Sequence, residues 1–295
     1  MPISDQQLQT WSHQGSVTQS KATHESIRAV LNSTESPYYL KSFDDFLQGS
    51  YANDTNIYAD SDVDIVIRLT STFYHNTDDL PPGEQAAYQR NHLPANYELP
   101  DFKRDVTAWL RRHYAGVTVG NKAIFIPGSG NRRDADVLVS AEHRYYKSYS
   151  GLVGPLYNEG IVFETANGRR IVNYPRLHRE NLSNKNQATG SWVKRTVRVF
   201  KNMRNRMIEQ GYLGAGVAPS YFIEGLLYNV PNNLYGHSHL VSVTNCLNFI
   251  QNSNRDDLTC ANELHWLVRD YQDVCWSTAN YERFRTSLRH FWNNY

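Results

Sequence analysis

Asp62-Val-Asp-Ile-Val-Ile67 inserts two carboxylates into an alternating apolar run, and that alternation restricts what the chain can build. Side chains two apart on a strand share a face. Asp62 and Asp64 therefore project together, while Val63, Ile65 and Ile67 face the opposite way. Neighbouring carboxylates repel unless a positive charge lies between them. A hard divalent cation that also holds phosphate oxygens fits, since Mg²⁺ is commonly bound by one or two carboxylates plus phosphate. Upstream, Leu47-Gln-Gly-Ser-Tyr places Gly49 and Ser50 in a polar turn, and Ser61 directly precedes the first carboxylate. The stretch reads as a phosphate-holding turn followed by a metal-binding strand. Taken singly, a Gly-Ser pair is only a turn and Asp-x-Asp only a solvated strand end; their order and spacing favour the catalytic reading.

The string Gly49-Ser50-Tyr51, Thr55 and Ser61-Asp62-Val63-Asp64 resembles the G-S…D-x-D signature of polymerase-β-like nucleotidyltransferases. It is similar in particular to the cGAS/DncV-like branch (CD-NTases), the bacterial relatives of cyclic GMP-AMP synthase. The resemblance implies an α+β fold: a mixed catalytic sheet with an N-terminal spine helix, followed by a helical C-terminal lobe. It also implies a third carboxylate on a neighbouring strand. Arg133-Asp-Ala-Asp-Val-Leu-Val139 alternates in the same way, and Asp136, followed at once by an apolar strand, matches that position. Asp134 is its local competitor, and a turn-capping role after Pro127-Gly-Ser-Gly-Asn131 is the plain alternative for Asp136.

Trp192 to Met207 has helical periodicity, with Val193, Val197, Phe200, Met203 or Arg204, and Met207 as an apolar stripe. Lys194, Arg198, Lys201 and Asn205 fall on another face. Such a basic stripe is usually solvated, and that reading is preferred for Lys194, Arg195 and Arg206. The resemblance singles out Lys201 as a lysine that reaches the nucleotide triphosphate. It likewise assigns a serine at the next helix start, Ser220, which follows Pro219. Helix N-termini favour phosphate, so capping and binding are compatible roles. Tyr221 is a candidate for stacking on a base, although an aromatic at helical spacing is more often core.

The 295 residues suffice for a large core in one or two intimately packed domains. With 30 Lys and Arg against 29 acids the formal charge is only +1, which argues against a grip on long nucleic acid and for small phosphorylated substrates. Cys246, Cys260 and Cys275 are widely spaced, as in a reducing compartment rather than a disulfide scaffold. His237, His239 and Cys246 lack a fourth ligand at zinc spacing. No stretch approaches a membrane span or a secretory leader. A cytoplasmic protein without a membrane partner is expected.

Along the chain, helices are expected over Ser4–Trp11 and Val17–Leu31, the second resembling the spine helix. Phe43–Leu47 should close a helix before the Gly-Ser turn. Strands are expected over 62–69, 117–126 and 136–141, with a long polar excursion over 70–100. A helix should occupy Asp101–Tyr114, and a hairpin should fold across Ala166-Asn167-Gly168. A polar connector over 179–190 should lead into the basic helix, with later helices over 258–270 and 281–292. The domain division expected is 1–178 for the catalytic lobe and 179–295 for the helical lobe.

In the resembled family Asp62, Asp64 and Asp136 are catalytic and hold two Mg²⁺ ions, with Mn²⁺ as a substitute. Gly49, Ser50, Lys201, Ser220 and Tyr221 are the corresponding nucleotide-binding positions. The activity implied is template-independent synthesis of a cyclic di- or trinucleotide from nucleoside triphosphates (ATP or another), with pyrophosphate release. The product would serve antiphage (CBASS-type) signalling through a downstream effector. Alternatives are a linear oligonucleotide synthase, a protein or antibiotic adenylyltransferase, and a non-catalytic nucleic-acid-binding protein.

Overall fold

A computed structural model describes residues 3–15, 17–58, 62–149 and 154–295; Ser61 lies outside them. The elements in chain order are α1 (Asp5–Trp11), α2 (Thr18–Leu31), β1 (Phe43–Leu47), α3 (Gly49–Ala52), β2 (Val63–Asn76), α4 (Pro82–Asn91) and α5 (Leu99–His113). Strands β3 (Thr118–Val119), β4 (Ile124–Ile126), β5 (Ala135–Ser148), β6 (Leu156–Glu164) and β7 (Arg170–Asn173) follow. Helices α6 (Pro175–Ala188), α7 (Trp192–Glu209), α8 (Ser220–Tyr228), α9 (His239–Asn252) and α10 (Thr278–Asn294) complete the chain. They form two compact units, Val17–Gln48 with Ser61–Pro175, and Met1–Ser16 with Gly49–Asp60 and Arg176–Tyr295.

The first unit is a sheet unit. Its strands run β1-β2-β5-β4-β3, with β6 paired to β5 and β7 to β6. Only β2 and β5 are parallel among the described pairs; the others are antiparallel. Val63, Ile65, Ile67 and Leu69 are all buried, as the period-2 pattern requires. Helices α2 and α5 pack on β2, and α5 also on β5. Helix α5 buries Leu99, Phe102, Val106, Trp109 and Leu110, each worth roughly 1.5–3 kcal/mol relative to exposure. The Trp109 indole donates to the Val30 carbonyl at 2.8 Å, tying α5 to α2.

The second unit is helical. Val193, Val197, Phe200, Met203 and Met207 of α7 are buried in its core beside Leu226, Leu227, Val243, Ile250, Phe284 and Leu288. Ile3, Leu8 and Trp11 from the N-terminal segment belong to the same core. The division of the chain is therefore discontinuous rather than a single cut: the N-terminal segment and residues 49–60 go with the helical unit.

Several expected elements take another form. Phe43–Leu47 is a strand, paired antiparallel with Ile65–Leu69; five residues are too few to nucleate a helix without packing, and β2 offers a ladder. The excursion over 70–100 is only partly irregular: β2 continues to Asn76 after a register shift between Leu69 and Phe73, while residues 77–81 and 92–98 lie outside helix and strand. Helix α4 then starts at Pro82. The single strand expected over 117–126 is two short strands joined at Gly120, whose N–H donates to the Ala123 carbonyl. The connector over 179–190 is largely α6, which buries only His178 and Leu182 and so shows little apolar periodicity. Residues 258–270 are not helical. There the Asn262 side chain accepts from the Leu264 and His265 N–H groups, and Glu263 takes a left-handed φ of 59°. Thr259 bridges to Trp266, and Val268 to Trp276.

Candidate active site

At the mouth of β2, Asp62 is exposed and Asp64 half-buried, with buried Val63 and Ile65 between and beyond them. In the parallel pairing of β2 with β5, Asp64 is the register partner of Asp136, and Val63 of Ala135. Register partners on adjacent strands share a face at a backbone spacing of about 4.8 Å. The sheet thus places Asp136 beside Asp64, with Asp62 two residues ahead of Asp64 at the strand mouth. Asp134 is otherwise engaged: its carboxylate accepts the Gly128 N–H at 2.6 Å and its carbonyl accepts the Val63 N–H. It locks the turn before β5 and leaves Asp136 as the acid on the strand.

Burial, then the charges of Asp62 and Asp134, push the Asp136 carboxyl above its ordinary range. A carboxylate in that setting gains from any cation placed between it and its neighbours. Among the described residues no group of three His, Cys, Asp or Glu side chains is gathered so as to hold a metal alone. The donor set is all oxygen, which suits a hard cation. Further along the same face of β2, Arg68 is buried, gripping Asp44 through Nε and Nη2 and Glu159 through Nη1 at 2.6–2.9 Å. Sequence reasoning does not find that clamp; its one signal is a lone arginine inside an apolar strand.

The Gly-Ser turn belongs to the helical unit. Gly49 adopts a φ of 66°, left-handed backbone that an L side chain resists. The short α3 follows, and the Asn53 and Thr55 N–H groups donate to the Gly49 and Ser50 carbonyls. Asp54 is also left-handed, at φ 55°. The Asp54 carbonyl accepts from Arg198 Nη1 at 2.6 Å, and its carboxylate accepts from Lys194 Nζ at 3.0 Å. Burial and the repelling Arg195 lower the Arg198 guanidinium to about 10, so it stays charged at neutral pH. Asn56 pairs with residues 14 and 15 through its side chain and its carbonyl.

Lys194 and Arg198 are therefore buried anchors of this turn, not members of a solvated stripe. Lys201 is fully buried, and its Nζ donates to the Thr55 carbonyl at 2.9 Å. Ser220 is the first residue of α8, and its hydroxyl accepts from Arg204 Nη1 at 3.2 Å. Tyr221 stacks on His178, with ring centroids 4.7 Å apart, and its hydroxyl accepts from Asn262. It packs against the helical core, and burial raises its phenol well above the ordinary value.

Sequence reasoning also misses Glu224, the lone acid in the apolar run of α8. Its carboxylate is fully buried and accepts from Asn53 Nδ2 at 2.8 Å, from the Thr55 hydroxyl, and from His178 Nε2 at 2.9 Å. Burial alone would raise it, but the His178 and Thr55 donors and the Lys201 charge outweigh that and hold it below the carboxylate range.

Paired acids on adjacent parallel strand ends in a mixed sheet fit the nucleotidyltransferase fold that the sequence resemblance implies. The profile of the cGAS/DncV-like nucleotidyltransferase C-terminal helical domain matches residues 180–293. The cyclic UMP-AMP synthase of Rhodothermus marinus is 36% identical over 100% of this chain and 99% of its own length. The cyclic nucleotide synthase CdnE01 of Staphylococcus haemolyticus is 35% identical with full coverage of both chains. The solved Rhodothermus marinus CdnE structure, with Apcpp and Upnpp, superposes with a TM-score of 0.88 over 100% of this chain and 98% of that one. Elizabethkingia meningoseptica CdnE, solved with GTP and Apcpp, gives 0.78 at 29% identity, covering 99% and 100%. The chain belongs to the cGAS/DncV-like nucleotidyltransferases. It is a nucleotidyltransferase of the cyclic-oligonucleotide-synthase kind, the reading its relatives support over the alternatives. Among the described residues no helix is long and apolar enough to cross a membrane.

Proposed function

We propose that this enzyme joins two nucleoside triphosphates into a cyclic dinucleotide, with Asp62, Asp64 and Asp136 as its metal-carrying acids. The observation that carries the assignment of the acids is the register pairing of Asp64 with Asp136. Two Mg²⁺ ions, replaceable by Mn²⁺, would supply Lewis acidity and neutralise charge on the phosphates. The protein's own part is to fix the carboxylates on rigid strands, Asp64 and Asp136 in matched register and Asp62 at the mouth of β2. Gly49, with no Cβ, lets backbone approach a phosphate, and the Ser50 hydroxyl donates to a phosphate oxygen. Ser220 at the start of α8 is a second phosphate donor, aided by the helix N-terminus. Lys201 supports the same phosphates through the Thr55 carbonyl it holds and through its charge. Tyr221, engaged by His178, contributes packing.

Full-length likeness to a cyclic UMP-AMP synthase makes UTP and ATP the first substrates to try. The product, released to the cell, would bind an effector in antiphage signalling. Asp64→Asn is predicted to lower pyrophosphate release from ATP and UTP by at least about 10²–10³-fold, the scale of losing one preorganised charge-stabilising group. Wild-type turnover by that variant would refute the assignment.

A further inference from the structure

We propose that Glu224 is the positioning residue of the phosphate-holding turn, acting on Ser50 through Asn53 and Thr55. The proposal rests on the phosphate-binding role assigned above to Gly49 and Ser50. Helix α8 is otherwise apolar over Ile223–Leu227, and a carboxylate fully buried there is costly unless its oxygens are satisfied. Among the described residues its hydrogen bonds come from two sources. One is His178 on α6; the other is the pair Asn53 and Thr55. Those two residues flank Asp54, which turns the chain through left-handed backbone at φ 55°. Glu224 thus pins both neighbours of the left-handed residue.

The restraint passes directly to the turn. The Thr55 N–H donates to the Ser50 carbonyl at 2.9 Å, and the Asn53 N–H to the Gly49 carbonyl at 3.1 Å. The opposite side of the segment is held by Lys201 on the Thr55 carbonyl and by Arg198 on the Asp54 carbonyl. Side-chain and backbone groups of three consecutive residues are thereby fixed around one buried anion. A group that served only to stabilise α8 would not need its donors drawn from the turn that carries Ser50. Preorganising the backbone that carries Ser50 by this route saves ordering cost when a triphosphate binds.

The test is a double-mutant cycle on kcat/KM, read as pyrophosphate release from ATP and UTP with Mg²⁺. Thr55→Val removes one donor to Glu224 at constant shape, Thr55→Ser keeps it, and Glu224→Gln removes the anion. Thr55→Val and Glu224→Gln should each lower kcat/KM by about 10–100-fold, the scale of a hydrogen bond to a charged group, mostly through KM for the triphosphate. Thr55→Ser should restore kcat/KM to within about threefold. Combining Thr55→Val with Ser50→Ala should cost no more than the worse single variant, because both break the same contact chain. If Glu224→Gln fails to fold, the Thr55 series decides alone. A folded Thr55→Val protein with wild-type kcat/KM, or losses that multiply with Ser50→Ala, overturns the proposal. A Ser50→Ala variant with wild-type kcat/KM would instead remove the phosphate-turn reading, and the proposal with it.

Discussion

Asp136 sits where like charges and burial both oppose ionisation, and its carboxyl is raised above its ordinary range. A carboxyl raised by folding binds its proton more tightly in the native state, so native stability falls as pH climbs through the window from its ordinary value to its raised one. Above that window the cost is constant. Asp136→Asn should therefore raise the melting temperature of the metal-free protein at pH 7, and the gain should shrink as pH drops through that window and vanish below the ordinary aspartate value. Thermal melts of both proteins from about pH 3 to about pH 7.5 check this, a span that brackets the aspartate range; an unchanged or lower melting temperature at pH 7 contradicts it. Activity should be lost in the same variant. Lys201 shows the opposite balance, a buried cation held by the Thr55 carbonyl beside an anionic Glu224. Lys201→Met should destabilise the protein by about 1–3 kcal/mol, visible as a lower urea midpoint.

Elements declare themselves in proportion to how much of their signal is local. The acids of β2 and β5 are legible because charges at period 2 within an apolar run are costly to keep without a cation to share. Helix α7 is legible through Val193, Val197, Phe200, Met203 and Met207, although the burial of its basic face is not. Lys194, Arg198 and Lys201 on that face bond to residues 12, 54 and 55, which no periodicity within α7 encodes. Strand β1 reads as helix because its identity comes from pairing with Ile65–Leu69, a partner outside the five residues themselves. Glu224 stands out as a single acid among Ile223, Gly225, Leu226 and Leu227, but nothing local names its partners. At Gly15 an added Cβ would lie 2.6 Å from the Ile57 carbonyl carbon and oxygen, which are backbone and cannot swing aside. Gly15→Ala should thus cost about 1–3 kcal/mol of stability in urea unfolding. No loss would mean that residues 14–15 and 56–57 are held less closely than the Gly15–Asn56 hydrogen bonds imply.

For the whole molecule, the discontinuous make-up of the helical unit is the feature least accessible to sequence reading, because it rests on contacts between distant segments. Ile3, Leu8 and Trp11 share a core with α7 to α10, and residues 53–55 are held by side chains from α7 and α8. A fragment beginning at Arg176 would lack these segments and expose their apolar sites. Such a fragment should melt non-cooperatively, or at a markedly lower temperature than the full chain; an equally cooperative, equally stable fragment would contradict the division. The central claim concerns what the intact enzyme makes. Incubation with the four nucleoside triphosphates and Mg²⁺, phosphatase treatment and mass spectrometry should reveal a phosphatase-resistant compound with the mass of a cyclic dinucleotide. Only linear, phosphatase-sensitive oligonucleotides, or no nucleotide product beyond the background of an Asp64→Asn control, would contradict it.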